Sequence, residues 1–260
     1  MPSSRLCPIL FVQLLRGSAL TSSSQISTSR WLWCWRPGVF ILLALSLATT
    51  CGRLEEPHPE DVLAQAREAL ETVRTVHFSL NIDGGGLELL PGVLATEIEG
   101  EVLRPDRLAA RVRATARGMP INLEFRAVGD RQWVSNPLIP GQWQQLPSRP
   151  VTDALLDPQA GLATLMADMT DLDLGSTEQI DGIRAHHVTG HTPNSSVAAY
   201  LGGEPLGGTT VIELWVAVDD SRLFRAVLTG PAVAGDGPDI VRRLNFYDFG
   251  ASIEISAPAQ

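Results

Sequence analysis

The chain has 260 residues, with 29 acidic side chains against 20 basic ones and a formal net charge of −9. All 20 basic residues are arginine, and four of them precede Cys51, where no acidic residue occurs. Binding to nucleic acids or anionic lipids depends on clustered Lys and Arg, so we expect neither kind of contact through surface charge. The length after Cys51 suits one domain with one core.

The N-terminal segment has the parts of an export signal. Arg30 and Arg36 precede an apolar run from Val39 to Leu47, and Ala48-Thr49-Thr50 leads into Cys51. A positive segment, an apolar run of about 7–15 residues and small residues at the cleavage point form a secretory signal. A cysteine directly after that point resembles a bacterial lipoprotein signal, in which the thiol is acylated. We therefore predict a signal peptide over 1–50 and lipid attachment at Cys51.

Other interpretations of this segment stay open. The lipoprotein pattern prefers Leu three residues before the cysteine and Gly, Ala or Ser just before it, whereas this chain has Ala48 and Thr50. An ordinary signal peptide with an incidental cysteine is one alternative, and a start codon placed too far upstream is another. A retained transmembrane helix is a third, but Arg36 leaves fewer than the ~20 apolar residues that span a bilayer. The other cysteines, Cys7 and Cys34, precede the cut, so we expect no disulfide after it.

Residues 51–58 are predicted to be a short tether, followed by a single domain over 59–258. Pro59 suits a first helical position, and Glu60 and Asp61 suit the positive end of a helix dipole. Apolar residues then recur at helical spacing, which predicts an amphipathic helix. They are Leu63, Ala66, Leu70 and Val73.

The sequence after this helix predicts mainly strands. From Val76 to Ile82 apolar and polar residues alternate, and Asp83-Gly84-Gly85-Gly86 ends the strand. Similar signals predict further strands over 94–102, 108–114, 121–128, 132–135, 172–179, 183–190, 210–218, 223–229, 241–249 and 252–256. A second main helix is predicted after Asp157-Pro158, with Leu162, Leu165, Met166 and Met169 on one stripe, and a short third helix over 195–201.

About ten or eleven mostly sequential strands against two main helices predict an α+β domain. We expect a large curved antiparallel β-sheet, a half-barrel, with the two main helices on its concave face. For one hairpin the charges suggest a register in which Glu101 lies opposite Arg111 and Glu99 opposite Arg113, across a loop over 105–107. We interpret these charges as a solvated outer face.

Large twisted sheets curl as the number of strands rises, and two helices cannot fill the concave side of ten strands. The side chains expected to point inward are aliphatic, which suits acyl chains at ~0.8 kcal/mol per buried methylene. Candidate residues lining such a cavity are Leu80, Ile82, Ile98, Val102, Leu162, Leu165, Met166, Met169, Leu214 and Val216. A closed, dry core of the same residues is the alternative that the pattern leaves open.

Several fragments, in this order, resemble the LppX/LprG/LprA (LppX_LprAFG) lipoprotein family, whose sheet is similar to that of the LolA and LolB carriers. They are Thr75-Val76-His77-Phe78-Ser79-Leu80, Ile98-Glu99-Gly100, Asp157-Pro158-x-x-Gly161-Leu162, Ile212-Glu213-Leu214-Trp215-Val216, Leu223-Phe224-Arg225, Phe249-Gly250 and Ile253-Glu254-Ile255-Ser256-Ala257-Pro258. The resemblance implies an antiparallel half-barrel with a hydrophobic cavity. It also implies transport or display of lipids and lipoglycans outside the plasma membrane, with Cys51 as the acylated residue.

The predicted function is that of a lipid-anchored carrier on the extracytoplasmic face of the cell membrane. Its partners would be a lipid or glycolipid ligand, the membrane through Cys51 and an envelope transporter, and we expect a monomer. The alternative is an envelope interaction or sensor lipoprotein with a closed core. We expect no enzyme activity and no cofactor, since nucleophile elbow, phosphate loop and dinucleotide motifs are missing from the sequence.

We also expect no metal site. His186, His187 and His191 are close in sequence, but adjacent strand residues point to opposite faces, so His186 and His187 cannot share a metal. Trp133, Trp143 and Trp215 could form a platform for a ligand, although packing in the core or at the rim is the simpler interpretation.

Overall fold

The computed structural model describes residues 57–147 and 161–259. Its strands form one antiparallel sheet of 13, with the order β7-β6-β5-β4-β3-β1-β13-β12-β11-β10-β8, while β2 pairs with β3 and β9 with β10. The strands are β1 Thr75–Asp83, β2 Leu87–Leu90, β3 Val93–Leu103, β4 Arg107–Ala116, β5 Met119–Val128, β6 Arg131–Ser135, β7 Trp143–Leu146, β8 Thr170–Leu174, β9 Glu178–Ile180, β10 Ile183–Pro193, β11 Thr209–Ala217, β12 Leu223–Thr229 and β13 Val241–Tyr247. The predicted large antiparallel sheet is confirmed.

Three helices are described: α1 Pro59–Thr72, α2 Gly161–Ala167 and α3 Asn194–Leu201. Pro59 opens α1 at its first position and Glu60 and Asp61 occupy the first turn, as predicted. The helix stops at Thr72 because Val73 is extended. The buried stripe of α1 faces the sheet and consists of Val62, Leu63, Ala66 and Leu70.

The inner face of the sheet is the one that the helices cover. It is illustrated by a row of residues that lie opposite one another across the strands, namely Phe246, Phe78, Gly100, Ala110, Phe125 and Val134. Position 100 in this row requires glycine. A Cβ on Gly100 would lie 2.6 Å from the carbonyl oxygen of Ala109 and 2.8 Å from two ring carbons of Phe78. The missing side chain therefore lets the Phe78 ring pack against the backbone of β3.

The predicted strand set needs four corrections. Strands β2 and β7 were missed because each has only four residues. The segment 172–179 is divided between β8 and β9, and 252–256 is not a strand. That last segment instead offers carbonyl oxygens to arginines of the sheet, since Arg107 Nη1 donates to Ile255 O at 2.8 Å.

Helices α2 and α3 have 7 and 8 described residues, so each is shorter than α1. Met169, which was predicted on the stripe of α2, lies beyond the end of that helix.

The predicted pairing of β3 with β4 is wrong, because the strands are shifted by two residues relative to the prediction. Glu99 lies opposite Arg111 and Glu97 opposite Arg113, whereas Glu101 faces Ala109. The three-residue loop is 104–106 rather than 105–107, since Leu103 already pairs with Arg107. This register keeps two pairs of opposite charges and also places buried Val102 opposite buried Leu108, which is larger than the Ala110 of the predicted register.

Candidate functional site

The inner face carries a main hydrophobic cluster that joins the sheet to all three helices. Seven of the ten predicted lining residues belong to it: Val102, Leu162, Leu165, Met166, Met169, Leu214 and Val216. Leu80 and Ile98 are half-buried against it. Ile82 is buried but belongs to none of the clusters formed by the described residues. The structure thus brings nine of the ten together, and their role as a lining for a ligand stays a prediction.

This main cluster is closely packed around α2. Leu162, Leu165 and Met166 on the helix, and Leu214 on β11, have almost no exposed surface. Helix α2 contacts both α1 and α3, and the principal contacts of α1 and α3 with the sheet are to β8, β10, β11 and β12. The described helices therefore cover mainly one half of the inner face, and that half is filled by the protein's own side chains.

The other half of the inner face has a cluster of its own, on β3, β4 and β5. Its buried members are Ala95, Val112, Ala114 and Leu123. Around them pack five half-buried hydrophobic residues: Leu87, Val93, Ile98, Ile121 and Val134. We call these nine residues the wing cluster. Ile98 packs against both clusters, so the apolar surface continues from the helix-covered half to the wing.

A charged pair lies at the end of this apolar face. Arg242 is in phase with Leu244 and Phe246 on β13, and its side chain is only 2% exposed. Its Nη2 donates to Asp236 Oδ1 from the β12–β13 connection, and Asp236 is 3% exposed. Sequence reasoning missed the pair, although Arg242 occupies a position that alternation assigns to the inner face.

The pKa of Asp236 is lowered in this setting. Burial acts to raise it, but the amides of Ala232 and Val233 and the guanidinium of Arg242 favour the charged carboxylate more strongly. The amide nitrogens lie 2.8 Å and 3.0 Å from Asp236 Oδ2. The carboxylate is thus ionised at neutral pH and balances the arginine.

Over β3, β4 and β5 the outer face is polar where the inner face is apolar. On β10, β11 and β12 the outer face instead carries a third hydrophobic cluster of buried residues, which includes Ala185, Trp215 and Val227. A trough of about 640 Å³ crosses β3, β4 and β5 beneath the β6–β7 loop, and charged side chains such as Glu99, Arg111 and Glu124 line it. Arg113 pairs with Glu97 at its edge. These exposed cross-strand charges fit the solvated face predicted from the sequence.

His187 and the three candidate tryptophans lie on the outer face, whereas His186 lies opposite Val216 on the inner face. His187 stacks on Trp215 with ring centres 4.4 Å apart, and its nitrogens lie 3.2 Å from Glu178 Oε1 and 3.1 Å from Glu213 Oε2. Trp133 is buried and Arg126 lies over the Trp143 ring. Among the described residues no group of three His, Cys, Asp or Glu side chains could hold a metal.

Cys51, the signal peptide over 1–50, most of the tether and Asp157-Pro158 lie outside the described residues. These assignments stay predictions. None of the helices in the described segments is both long enough and apolar enough to span a bilayer.

Comparison with known proteins agrees with this architecture. The family model of the LppX_LprAFG lipoprotein matches residues 58–255. The lipoarabinomannan carrier protein LprG of Mycobacteroides abscessus is 23% identical over 206 residues, which cover 78% of this chain and 86% of LprG. LppX of Mycobacterium tuberculosis, named as a candidate phthiocerol dimycocerosate transporter, is 31% identical over 174 residues, which cover 64% of this chain and 69% of LppX.

Two crystal structures have the same fold. LprF from Mycobacterium bovis aligns with a TM-score of 0.61 at 17% identity, covering 79% of this chain and 99% of LprF. LppX from Mycobacterium tuberculosis aligns with a TM-score of 0.56 at 24% identity, covering 76% of this chain and 98% of LppX. At these identities the likeness establishes the half-barrel fold.

Proposed function

Since the chain belongs to the LppX_LprAFG lipoprotein family, we propose that it binds the acyl chains of a lipid or lipoglycan on the inner face of its half-barrel. It would carry or present that ligand outside the plasma membrane without catalysing a reaction. The relatives' names support the class of ligand, because LprG is named a lipoarabinomannan carrier. Acylation of Cys51 would attach the protein to the extracytoplasmic face of the membrane.

The observation that carries this proposal is the extent of the apolar inner face. The described helices pack mainly on β8 and β10 to β12, yet the apolar surface continues through Ile98 into the wing cluster. Acyl chains need no hydrogen bonds, and each methylene removed from water contributes about 0.8 kcal/mol. A surface of Leu, Ile, Val and Ala is therefore suited to hold them.

The experiment compares two variants on neighbouring residues of β5. Ile121 is half-buried in the wing cluster, whereas Asn122 faces outward and is exposed. Ile121→Glu places a carboxylate where the acyl chains would lie, and Asn122→Glu places the same group on the polar face. We expect Ile121→Glu to lower uptake of a pyrene-labelled diacyl lipid about tenfold or more, which corresponds to ~1.4 kcal/mol, and Asn122→Glu to leave uptake unchanged.

Circular dichroism and urea unfolding of both variants show whether they remain folded. Equal uptake by folded Ile121→Glu and Asn122→Glu would exclude the wing cluster as the lipid site. Failure of the unsubstituted protein to take up the lipid would contradict the proposed function itself.

The close packing of the main cluster favours one second candidate. If the wing cluster is closed in the same way, the protein is an envelope interaction or sensor lipoprotein with a dry core. That function predicts a protein partner and no uptake of lipid by the unsubstituted protein. The same uptake experiment therefore separates the two candidates.

A further inference from the structure

Arg242 is a buried cation within the apolar inner face. On β13 it lies in phase with Leu244 and Phe246, both of which belong to the main cluster. Its opposite residues are Ile82 on β1 and Leu228 on β12, which are also buried. A guanidinium in such surroundings is retained only where its charge and its N–H groups find partners.

Asp236 satisfies the charge of Arg242 but only part of its hydrogen-bonding capacity. One carboxylate oxygen, Oδ1, accepts from Nη2, and the other, Oδ2, is occupied by the amides of Ala232 and Val233. Nε and Nη1 of Arg242 are buried and have no hydrogen-bond partner among the residues that the structure describes. Buried donors without acceptors are rare in folded proteins and mark a place for a water or a ligand.

The missing acceptors have a definite chemistry. They must be oxygen atoms that accept hydrogen bonds, because a guanidinium only donates. They should be neutral, because Arg242 and Asp236 already balance each other and a further anion would be left unpaired in apolar surroundings. Carbonyl oxygens of acyl esters meet both conditions, and in a lipid they lie directly beside the acyl chains.

We propose that Arg242 anchors the ester carbonyl oxygens of the bound lipid at the end of the apolar inner face. Nε and Nη1 are two separate donors, so a diacyl lipid can offer one carbonyl oxygen to each. This inference rests on the proposed function, since the acyl chains must occupy the inner face for their ester groups to reach Arg242. If Arg242 binds the ester carbonyl oxygens, the protein selects ester-linked lipids over ether-linked ones.

The test compares two neutral lipids that differ at the linkage. Dipalmitoylglycerol has two ester carbonyls, and dihexadecylglycerol has chains of the same length joined by ethers. Native mass spectrometry of the purified full chain, in a detergent and titrated with each lipid, gives both dissociation constants. We expect the ester lipid to bind about tenfold more tightly, because hydrogen bonds to a charged group are lost in the ether.

Two variants test whether Arg242 causes the preference for the ester lipid. The double variant Arg242→Met with Asp236→Asn removes both charges, while the amide oxygen of the new side chain can still accept from Ala232 and Val233. We expect it to bind both lipids with the affinity that the unsubstituted chain has for the ether lipid. The matched control is Arg243→Met on the outer face of the same strand, which should keep the preference.

Three results would overturn the inference. Equal affinity of the unsubstituted chain for the two lipids means that water, not the ligand, satisfies Arg242, and it leaves the proposed function intact. Dihexadecyl phosphatidic acid is titrated as a third lipid, and tighter binding of it than of the ester lipid means that the donors select phosphate. Binding of neither glycerol lipid contradicts the binding of two-chain glycerol lipids on which the inference rests. The comparison in the unsubstituted chain decides the matter even if the double variant does not fold.

Discussion

Asp236 shows how one residue links the β12–β13 connection to the inner face of the sheet. It accepts hydrogen bonds from Ala232 and Val233 in the connection and from Arg242 in β13. Removal of one partner from a buried pair costs about 3–5 kcal/mol, because the other charge is left alone. By contrast, the pair of Asp220 and Arg222 is partly exposed and should contribute only about 0–1 kcal/mol.

Protonation of Asp236 at low pH should lower the free energy of unfolding. Its pKa is lower in the folded protein than its ordinary value of 3.8. The ionised group therefore stabilises the fold fully above that value, and this contribution is lost as the pH falls through the lower folded pKa. Urea unfolding between about pH 5 and about pH 2 should show a decline in the free energy of unfolding that Asp236→Asn reduces.

Two features of the acid experiment make it decisive. Asp236→Asn should also be less stable than the unsubstituted protein at neutral pH, because Arg242 keeps its charge. The exposed carboxylate of Asp220 provides the control, since Asp220→Asn should cost little stability at neutral pH. An unchanged acid decline in Asp236→Asn would show that other carboxylates control the transition.

Gly100 tests the close packing of the Phe78 ring on the sheet. A methyl group there would meet the backbone oxygen of Ala109, which cannot move without disturbing β4. We expect Gly100→Ala to lower the free energy of unfolding by about 1–3 kcal/mol. Gly207→Ala is the control, because its methyl group would have no neighbour within 4 Å, and it should change stability by less than about 0.5 kcal/mol. Equal unfolding midpoints for the two variants would disprove the contact.

At the scale of elements, alternation predicted the long strands well because one face is buried along their length. Val76 to Ile82 became β1, and the inward phase of Ile98 and Val102 was correct. Register was harder to predict, because shifting the pairing of β3 and β4 by two residues keeps every side chain on its face. The four-residue strands β2 and β7 give too short a pattern to detect.

The candidate site was predictable only in part. The aliphatic residues of the inner face follow from strand and helix periodicity, and Leu162, Leu165 and Met166 lie in one cluster with Leu214 and Val216. Their role as a lining for a ligand stays a prediction. Periodicity does not say which half of the sheet the helices cover, because that depends on how α1, α2 and α3 pack together. The partner of Arg242 was likewise hidden, since Asp236 comes from a connection without regular structure.

Helix α2 provides a test of the main cluster. Met166 is 2% exposed and belongs to that cluster, whereas Thr164 on the same helix is half-buried. We expect Met166→Ala to lower the free energy of unfolding by about 2–5 kcal/mol, because the cavity left behind cannot collapse fully. Thr164→Ala should cost less than about 1 kcal/mol in the same urea titration. A loss below that value for Met166→Ala would mean that its side chain borders open space.

For the whole molecule, the contrast between the two faces of the sheet is the basis of the proposed function. On β3, β4 and β5 the outer face has exposed charges in cross-strand pairs, whereas the inner face has two apolar clusters joined by Ile98. The outer face is apolar only around Trp215, on β10, β11 and β12, among the residues that the structure describes. The chain belongs to the LppX_LprAFG lipoprotein family, and it shares its fold with LprF and LppX. Because side chains of the protein fill the space beneath the helices, the wing cluster is the part of the inner face where we propose that the acyl chains lie.

The most direct measurement is native mass spectrometry of the protein purified from cells that make it, with organic extraction of the same sample. We expect adducts whose masses match an extracted lipid, and their loss when the fold is denatured. Protein that is free of lipid in every preparation, and remains so after incubation with diacyl lipids, would contradict lipid binding on the inner face.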